Sequence, residues 1–498
     1  MLLKPSPATY RLIAHDLGRI MAVVAAAGLF PMVWAVARQE WHSAGTLLLM
    51  IGIGLLLAGA AEWLSSEREA NIAWSHGMVV VALTWLLVPA LGALPLYLSH
   101  HYGTPLDAYF DAMSGLTTTG LAVISDVDHL PVSINVWRHM LQFLGGQGIV
   151  LAALTFFSAS GALSLFQAEG REERIFPSVG TTARFIWVVS ITHAVVGITI
   201  LTLDGILVQG FKAWRSLLHA TTVFMAAFDT GGFSPQSTSI AYYRSPIFEL
   251  VVSVLMVAGA MSFGLHHAIW NRRRGLRRNL EIRTILATFV ATLTITLIGL
   301  ATADAFDGTL GLTRRGFFQV LSAHTGTGFA TVSSSELSRW GGLAFAGIAV
   351  AMALGGMSSS TAGGVKSLRV GLTIRSLFDT VREVLLPERA IVPSSFTQYG
   401  VQRLTHRLGQ SVMAVSLLYV ALYLFGAAVA IAYGYDLQSA LFESVSAAAA
   451  VGLSVGVTSP DMPALLQITM IFQMWIGRLE FVAVFALFGF VVSSVRGD

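Results

Sequence analysis

Cysteine is absent from the 498 residues, which excludes disulfides, thiolate metal sites and cysteine nucleophiles. Charge is scarce as well: Asp, Glu, Lys and Arg make up 11% of the chain against 55% hydrophobic residues. An ordinary soluble domain carries about 25% charged residues, so that class is excluded. No secretory leader is read at the start, because Arg11, His15, Asp16 and Arg19 lie before the first apolar run and no small-residue cleavage site follows. The chain also lacks an H-E-x-x-H pair, a nucleophile–base set and a G-x-G-x-x-G after a strand, so no enzyme class and no built-in nucleotide domain is expected. The nearest approach to a phosphate loop is "GGMSSSTAGGVKSLR" (355–369). A P-loop places glycine directly before its lysine, whereas here Val365 separates Gly364 from Lys366.

What the chain does contain is a series of apolar runs of about 20 residues, the length that crosses a bilayer. Spans are read at 18–37, 43–63, 74–98, 136–160, 183–207, 246–270, 282–303, 341–384 (interrupted), 408–433 and 464–492. With the N- and C-termini cytoplasmic, most of the 30 Lys+Arg fall on the cytoplasmic side, as the positive-inside rule requires. The cluster "RRRGLRR" (272–278) is therefore read as a topology determinant and not as a nucleic-acid site.

Four segments between spans are too short or too polar to cross. They are "FDAMSGLTTTGLAV" (110–123), "TTVFMAAFDTGGFSP" (221–235), "FFQVLSAHTGTGFATV" (317–332) and "LFESVSAAAAVGLSVG" (441–456). Each aligns on one anchor, Gly120, Gly232, Gly328 or Gly452, followed by Leu or Phe. Five and six positions upstream stands a small pair: Ser114-Gly115, Ala226-Ala227, Ser322-Ala323 or Ser446-Ala447. Internal repetition of this kind defines an architecture. The pattern predicts an all-α polytopic membrane protein made of four span, half-helix, glycine-turn, span units around one pore. An N-terminal two-helix hairpin over 1–70 precedes units at 71–175, 176–278, 279–395 and 396–498. Non-helical backbone inside a membrane must be buried in protein or line a water-filled path, and rings of carbonyls replace the water around a dehydrated cation. Packing alone would explain the small pairs but not why the chain breaks after each short helix.

The glycine turns, together with "LGGQGIV" (144–150), "LSLFQAEG" (163–170), the 355–369 segment and "MWIGRLEF" (474–481), resemble the Trk/Ktr/HKT superfamily of cation transporters, most closely its bacterial TrkH branch. The resemblance implies potassium uptake across the bacterial cytoplasmic membrane, with K⁺ as cargo and no cofactor in the chain. Its filter residues map to Thr118, Thr119 and Gly120; Thr230, Gly231 and Gly232; Gly326, Thr327 and Gly328; and Ala450, Val451 and Gly452. Gly120 favours potassium, since relatives with serine there lean toward sodium. A sodium-permeable channel or a Na⁺- or H⁺-coupled symporter is the alternative. The fourth turn, "AAAAVGL", departs from the polar stretch usual in relatives. The resemblance further implies a homodimer and a cytosolic nucleotide-binding regulatory subunit of the TrkA/KtrA type, and the loops around 165–182, 271–281 and 372–405, which mix charge with apolar residues, are the docking candidates. No nucleic-acid partner is implied, and membrane lipid surrounds the chain.

The family places a mobile intramembrane loop where this sequence has Gly355, Gly356, Ser358, Ser359, Ser360, Thr361, Gly363 and Gly364. The alternative is a static kink relieved by hydroxyls. Arg478 stands within the last span, where a buried arginine costs on the order of 3 kcal/mol. It either holds carbonyls of that loop or pairs with an acid such as Glu480. Asp229, three residues before Gly232, either concentrates cations at the filter mouth or caps neighbouring amides. His193, His219, His324, Glu62, Glu249 and Glu443 lie in or near spans; a proton relay is one reading of them, but without a repeated spacing they are expected to be hydrogen-bonded packing residues. His266-His267 lacks carboxylate partners for a metal.

Overall fold

The architecture comes from a computed structural model that describes residues 7–64, 74–124, 126–148, 179–303, 308–340, 342–387 and 394–496. The 163–170 segment and the second half of the 136–160 span lie outside the described residues. Among the described residues the regular elements are helices and one antiparallel strand pair, Ser395–Thr397 with Val401–Arg403, with an isolated parallel bridge between Leu354 and Val365.

A hairpin of Pro7–Ala37, broken at Gly28, and Trp41–Leu64 precedes the rest. Then one order recurs four times: long helix, short helix, turn, return helix. The long helices are Trp74–Leu98, Val179–Leu207, Leu280–Thr302 and His406–Ala432; the short ones are Pro105–Leu116, Ala213–Phe228, Thr309–His324 and Leu437–Ala448. Return helices begin at Val132, Pro246, Gly342 and Ala464. Local chemistry starts several of these elements. Thr104 and Asp107 form a reciprocal capping box ahead of Pro105, and Asp436 accepts from Ser439 N at 3.0 Å. The return helix at Val132 is capped from the N-terminal hairpin, where Glu40 accepts from the amides of Val132 and Ser133, each at 2.9 Å. An acid at the helix N-terminus satisfies orphan donors and suits the dipole.

Polarity is arranged for lipid. Large apolar side chains such as Leu286, Val290, Leu417, Val420 and Leu424 point outward. Threonines on the Leu280–Thr302 helix close on their own helix, Thr288 donating to Thr284 O and Thr292 to Thr288 O, both at 2.9 Å. Among the described residues six helices are long and apolar enough to cross a membrane, or up to eight if each bent pair counts as one span.

Two spans read as continuous are not. The 246–270 run bends by 104° between Pro246–Ala260 and Phe263–Trp270, and the 464–492 run bends by 110° between Ala464–Leu479 and Val482–Arg496. At the first, Met261 is extended and Ser262 caps the next helix through Leu265 N at 3.1 Å. At the second, Glu480 and Phe481 both take positive φ, +53° and +73°. The interruption expected only near 355–364 thus has counterparts in the second and fourth return helices. In the first, the helix stops at Gln147 with Gly148 at φ +85°.

Candidate functional site

Each short helix ends in the same hydrogen-bonded cap. Thr118, Thr230, Gly326 and Ala450 adopt left-handed φ of +57°, +50°, +71° and +54°. Their amides bond to the carbonyls of Gly115, Ala227, Ala323 and Ala447. The next amides, of Thr119, Gly231, Thr327 and Val451, bond to Ser114, Ala226, Ser322 and Ser446 at 2.7–2.9 Å. This is the Schellman arrangement, and its two acceptors are the small pair of the sequence repeat. The small pair accordingly occupies the last turn of the helix, where the return helices come close. A side chain at Gly145, Gly259 or Gly477 would strike the carbonyl of Leu116, Phe228 or Ala448.

The anchors follow at once, with φ of +89°, +71°, +83° and +92°. Their environment closes a cycle. A Cβ on Gly120 would collide with the Gly231 carbonyl, one on Gly232 with that of Thr327, one on Gly328 with that of Val451, and one on Gly452 with that of Thr119. The four turns therefore surround one axis, each glycine abutting the carbonyl just before the next anchor. All four anchors line one cavity of about 470 Å³, whose wall includes Arg138, Arg315 and Glu336. Leu121, Phe233, Phe329 and Leu453 are at most 2% exposed and wedge the turns in place. The Gly231 carbonyl also accepts from the Gln142 side-chain amide, a contact that nothing in the glycine pattern announces.

The 355–364 segment covers the turns on the side away from that cavity. Its ends meet, Gly355 N donating to Val365 O at 2.9 Å and Val365 N to Ala353 O at 3.2 Å, which makes it a compact closed loop of the Ω type. The loop reaches three turns. Thr361 Oγ1 lies 3.1 Å from Thr230 Oγ1, Ala362 and Gly363 flank Gly326, and Gly363 abuts Ala449 and Ala450. Arg478 supplies the fourth. It donates to Thr361 O and Gly145 O, each at 2.7 Å, and to Thr118 Oγ1 at 3.1 Å, with its guanidinium 5.3 Å from the Trp85 ring. Glu480 pairs with Arg369, so the acid two residues along is engaged elsewhere. From the opposite flank Glu281 accepts from Ser358 N at 2.5 Å and Ser367 Oγ at 3.3 Å. Neither Glu281 nor Gln142 was legible as a site residue, since each comes from a distant helix.

Asp229 stands elsewhere than at a mouth. It is the capping residue of its helix, fully buried, does not line the cavity, and accepts from Gln147 Nε2 at 2.7 Å. A carboxylate enclosed behind the turn and bonded to Gln147 favours a local partner over an exposed focusing charge. The other ionisable residues near spans are engaged locally: His219 with Tyr243, His324 with Thr288, Glu249 with Arg314 and Glu62 with His15. No group of His, Asp or Glu among the described residues is arranged to hold a metal.

The chain is similar to known proteins over nearly its whole length. It is 31% identical to an uncharacterized cation transporter of Methanocaldococcus jannaschii, covering 96% of this chain and 94% of that one. It is 28% identical to the Trk system potassium uptake protein TrkH of Halomonas elongata, over 88% of this chain and 90% of the relative. The crystal structure of the potassium transporter TrkH from Vibrio parahaemolyticus superposes with a TM-score of 0.83 at 22% identity, covering 96% and 98% of the two chains. That likeness establishes the fold. The model of the TrkH family, described as cation transport protein, matches residues 48–306 and 309–494, and the chain belongs to that family.

Proposed function

We propose that this chain conducts K⁺ into the cell through the four glycine turns and that the 355–364 loop with Arg478 gates the path. The observation that carries the proposal is the closed cycle in which each anchor glycine meets the carbonyl before the next. A dehydrated cation on that axis finds backbone oxygens in place of water, and the filter comprises Thr118–Gly120, Thr230–Gly232, Gly326–Gly328 and Ala450–Gly452. The membrane potential supplies about 2.3 kcal/mol per charge per 100 mV, enough to drive uptake without a reaction cycle. Relatives described as potassium uptake proteins support the choice of ion.

On this reading the chain is divided at 70, 175, 278 and 395 and has both termini in the cytoplasm of a bacterial inner membrane. It works as a homodimer with a cytosolic nucleotide-binding subunit, for which loop 271–281 and the described parts of 372–405 are docking candidates; 165–178 and 388–393 lie outside the described residues. The test is flux into liposomes holding purified protein and a single cation. K⁺ is expected to enter under an imposed negative potential, and Na⁺ far more slowly. Equal rates would overturn the selectivity, and K⁺ entry that requires a Na⁺ or H⁺ gradient would make the protein a symporter.

Asp229 adds a second expected outcome. Because its carboxylate is enclosed and bonded to Gln147, Asp229→Asn should leave the ionic-strength dependence of K⁺ flux unchanged. An exposed focusing charge would weaken with salt. A flatter salt response in the variant would return Asp229 to the ion path.

A further inference from the structure

Beyond the turns themselves, a second fixed offset recurs. Nine residues before the anchors stand Asp111, Val223, Gln319 and Glu443. Three residues after them stand Val123, Pro235, Thr331 and Val455. Asp111 Oδ1 accepts from Val123 N at 3.2 Å, Gln319 Oε1 from Thr331 N at 3.2 Å, and Glu443 Oε1 from Val455 N at 2.9 Å. The second repeat has an apolar, fully buried valine at the first position and proline at the other. Proline carries no N–H, so where the donor is missing the acceptor is missing too.

We infer that this side chain is a tether that holds the backbone leaving each anchor glycine and so positions the filter for ion discrimination, a role that rests on reading the turns as the filter. A bland account exists for two of the three. Asp111 also accepts from Tyr102 and from Arg138 Nε, each at 2.8 Å, and Glu443 also serves Ser454, Val457 and Thr458. Gln319 separates the accounts. It has no ionic partner, its Nε2 is buried without a hydrogen bond, and its oxygen still takes the same amide. The amide is the element common to all three. Its place is mechanically apt: the residues after the anchors form the cavity wall, where Ala122, Thr331 and Ser454 line the space above the glycines. An amide that loses its fixed side-chain acceptor must find another partner, so the strand would shift and carry the anchor with it. In the second repeat the wall is held from outside, through Asn135 Nδ2 to Pro235 O at 3.3 Å and the Arg138 guanidinium 4.2 Å from the Phe233 ring.

The test measures the K⁺/Na⁺ flux ratio of the full chain in liposomes. Gln319→Leu should lower the ratio roughly fivefold, the worth of one hydrogen bond. Gln319→Glu and Glu443→Gln, which keep an acceptor, should stay within about twofold of wild type. Pro235→Ala creates the missing donor and should lower the ratio, and Val223→Gln added to it should restore the ratio by supplying the missing acceptor. This pair keeps the idea testable if Gln319→Leu does not fold. An unchanged ratio in Gln319→Leu, alongside a lost ratio in Gly328→Ala, overturns the tether and leaves the filter standing. Equal losses in Gln319→Leu and Gln319→Glu also overturn it, as does failure of Val223→Gln to rescue Pro235→Ala. If Gly328→Ala keeps its ratio as well, the filter reading falls and the tether with it.

Discussion

Gly232→Ala and Gly328→Ala are each expected to cut K⁺ flux roughly a hundredfold, and the remaining flux should discriminate poorly against Na⁺. Two costs coincide at these positions. An L-residue held at φ of +71° or +83° is strained by about 1–3 kcal/mol. The new methyl group also collides with the Thr327 or Val451 carbonyl, a backbone atom that cannot rotate aside. Relief requires the neighbouring turn to retreat, which widens the ring that must match a bare ion. About 3 kcal/mol corresponds to the stated factor at 1.4 kcal/mol per decade. Gly52→Ala in the N-terminal hairpin is the control, since its added carbon meets nothing within 4 Å beyond its own stretch of helix and its φ is not left-handed. The variants should insert at wild-type level, as judged by detergent-extracted yield. Wild-type flux and selectivity in both anchor variants would remove the filter assignment.

Arg478→Ala is expected to work in the opposite direction, raising flux on the order of tenfold or more in the absence of any regulatory subunit. The substitution removes three charge-assisted bonds, to Thr361 O, Gly145 O and Thr118 Oγ1, each worth about 1.5–3 kcal/mol. It also removes a positive charge close to the turns. Losing even one such bond from the covered state alone shifts a two-state balance by about tenfold or more. Deleting Met357–Thr361 should have a similar effect, because it eliminates the segment that packs on Thr230 and bonds to Gly259 and Ala260. Both variants should retain K⁺ preference, because the bonds they remove at Thr118 and Thr230 are to side-chain hydroxyls, while the backbone caps and anchor glycines that hold the carbonyls stay in place. Their combination should add little, since both act on one gate. A static kink predicts instead that the deletion abolishes activity. Correctly inserted variants with wild-type flux would rule the gate out.

The linear chain already contains the repeat, because its determinants are local. A turn at positive φ that follows the end of each short helix at a fixed distance and abuts a backbone carbonyl demands glycine, so Gly120, Gly232, Gly328 and Gly452 and the small pairs behind them recur in register. Apolar runs of bilayer length likewise declare themselves in one dimension. The "GGMSSSTAGG" interruption is legible for the same reason, since few residues tolerate an opened helix in an apolar setting.

Folding settles what depends on neighbours from other repeats. The bends at 261–262 and 480–481 carry no glycine or proline at the break, and Glu480 and Phe481 take positive φ only because packing holds them there. Hydropathy cannot distinguish a bent apolar run from a straight one. The cyclic order of the turns, the Gln142 bond to Gly231 and the Glu281 grip on Ser358 join residues from separate helices, and no periodicity encodes such pairs. Asp229 shows the limit most plainly. Its distance from Gly232 is set by the chain, but whether its carboxylate meets water or Gln147 is decided by the side of the helix that the first return helix covers.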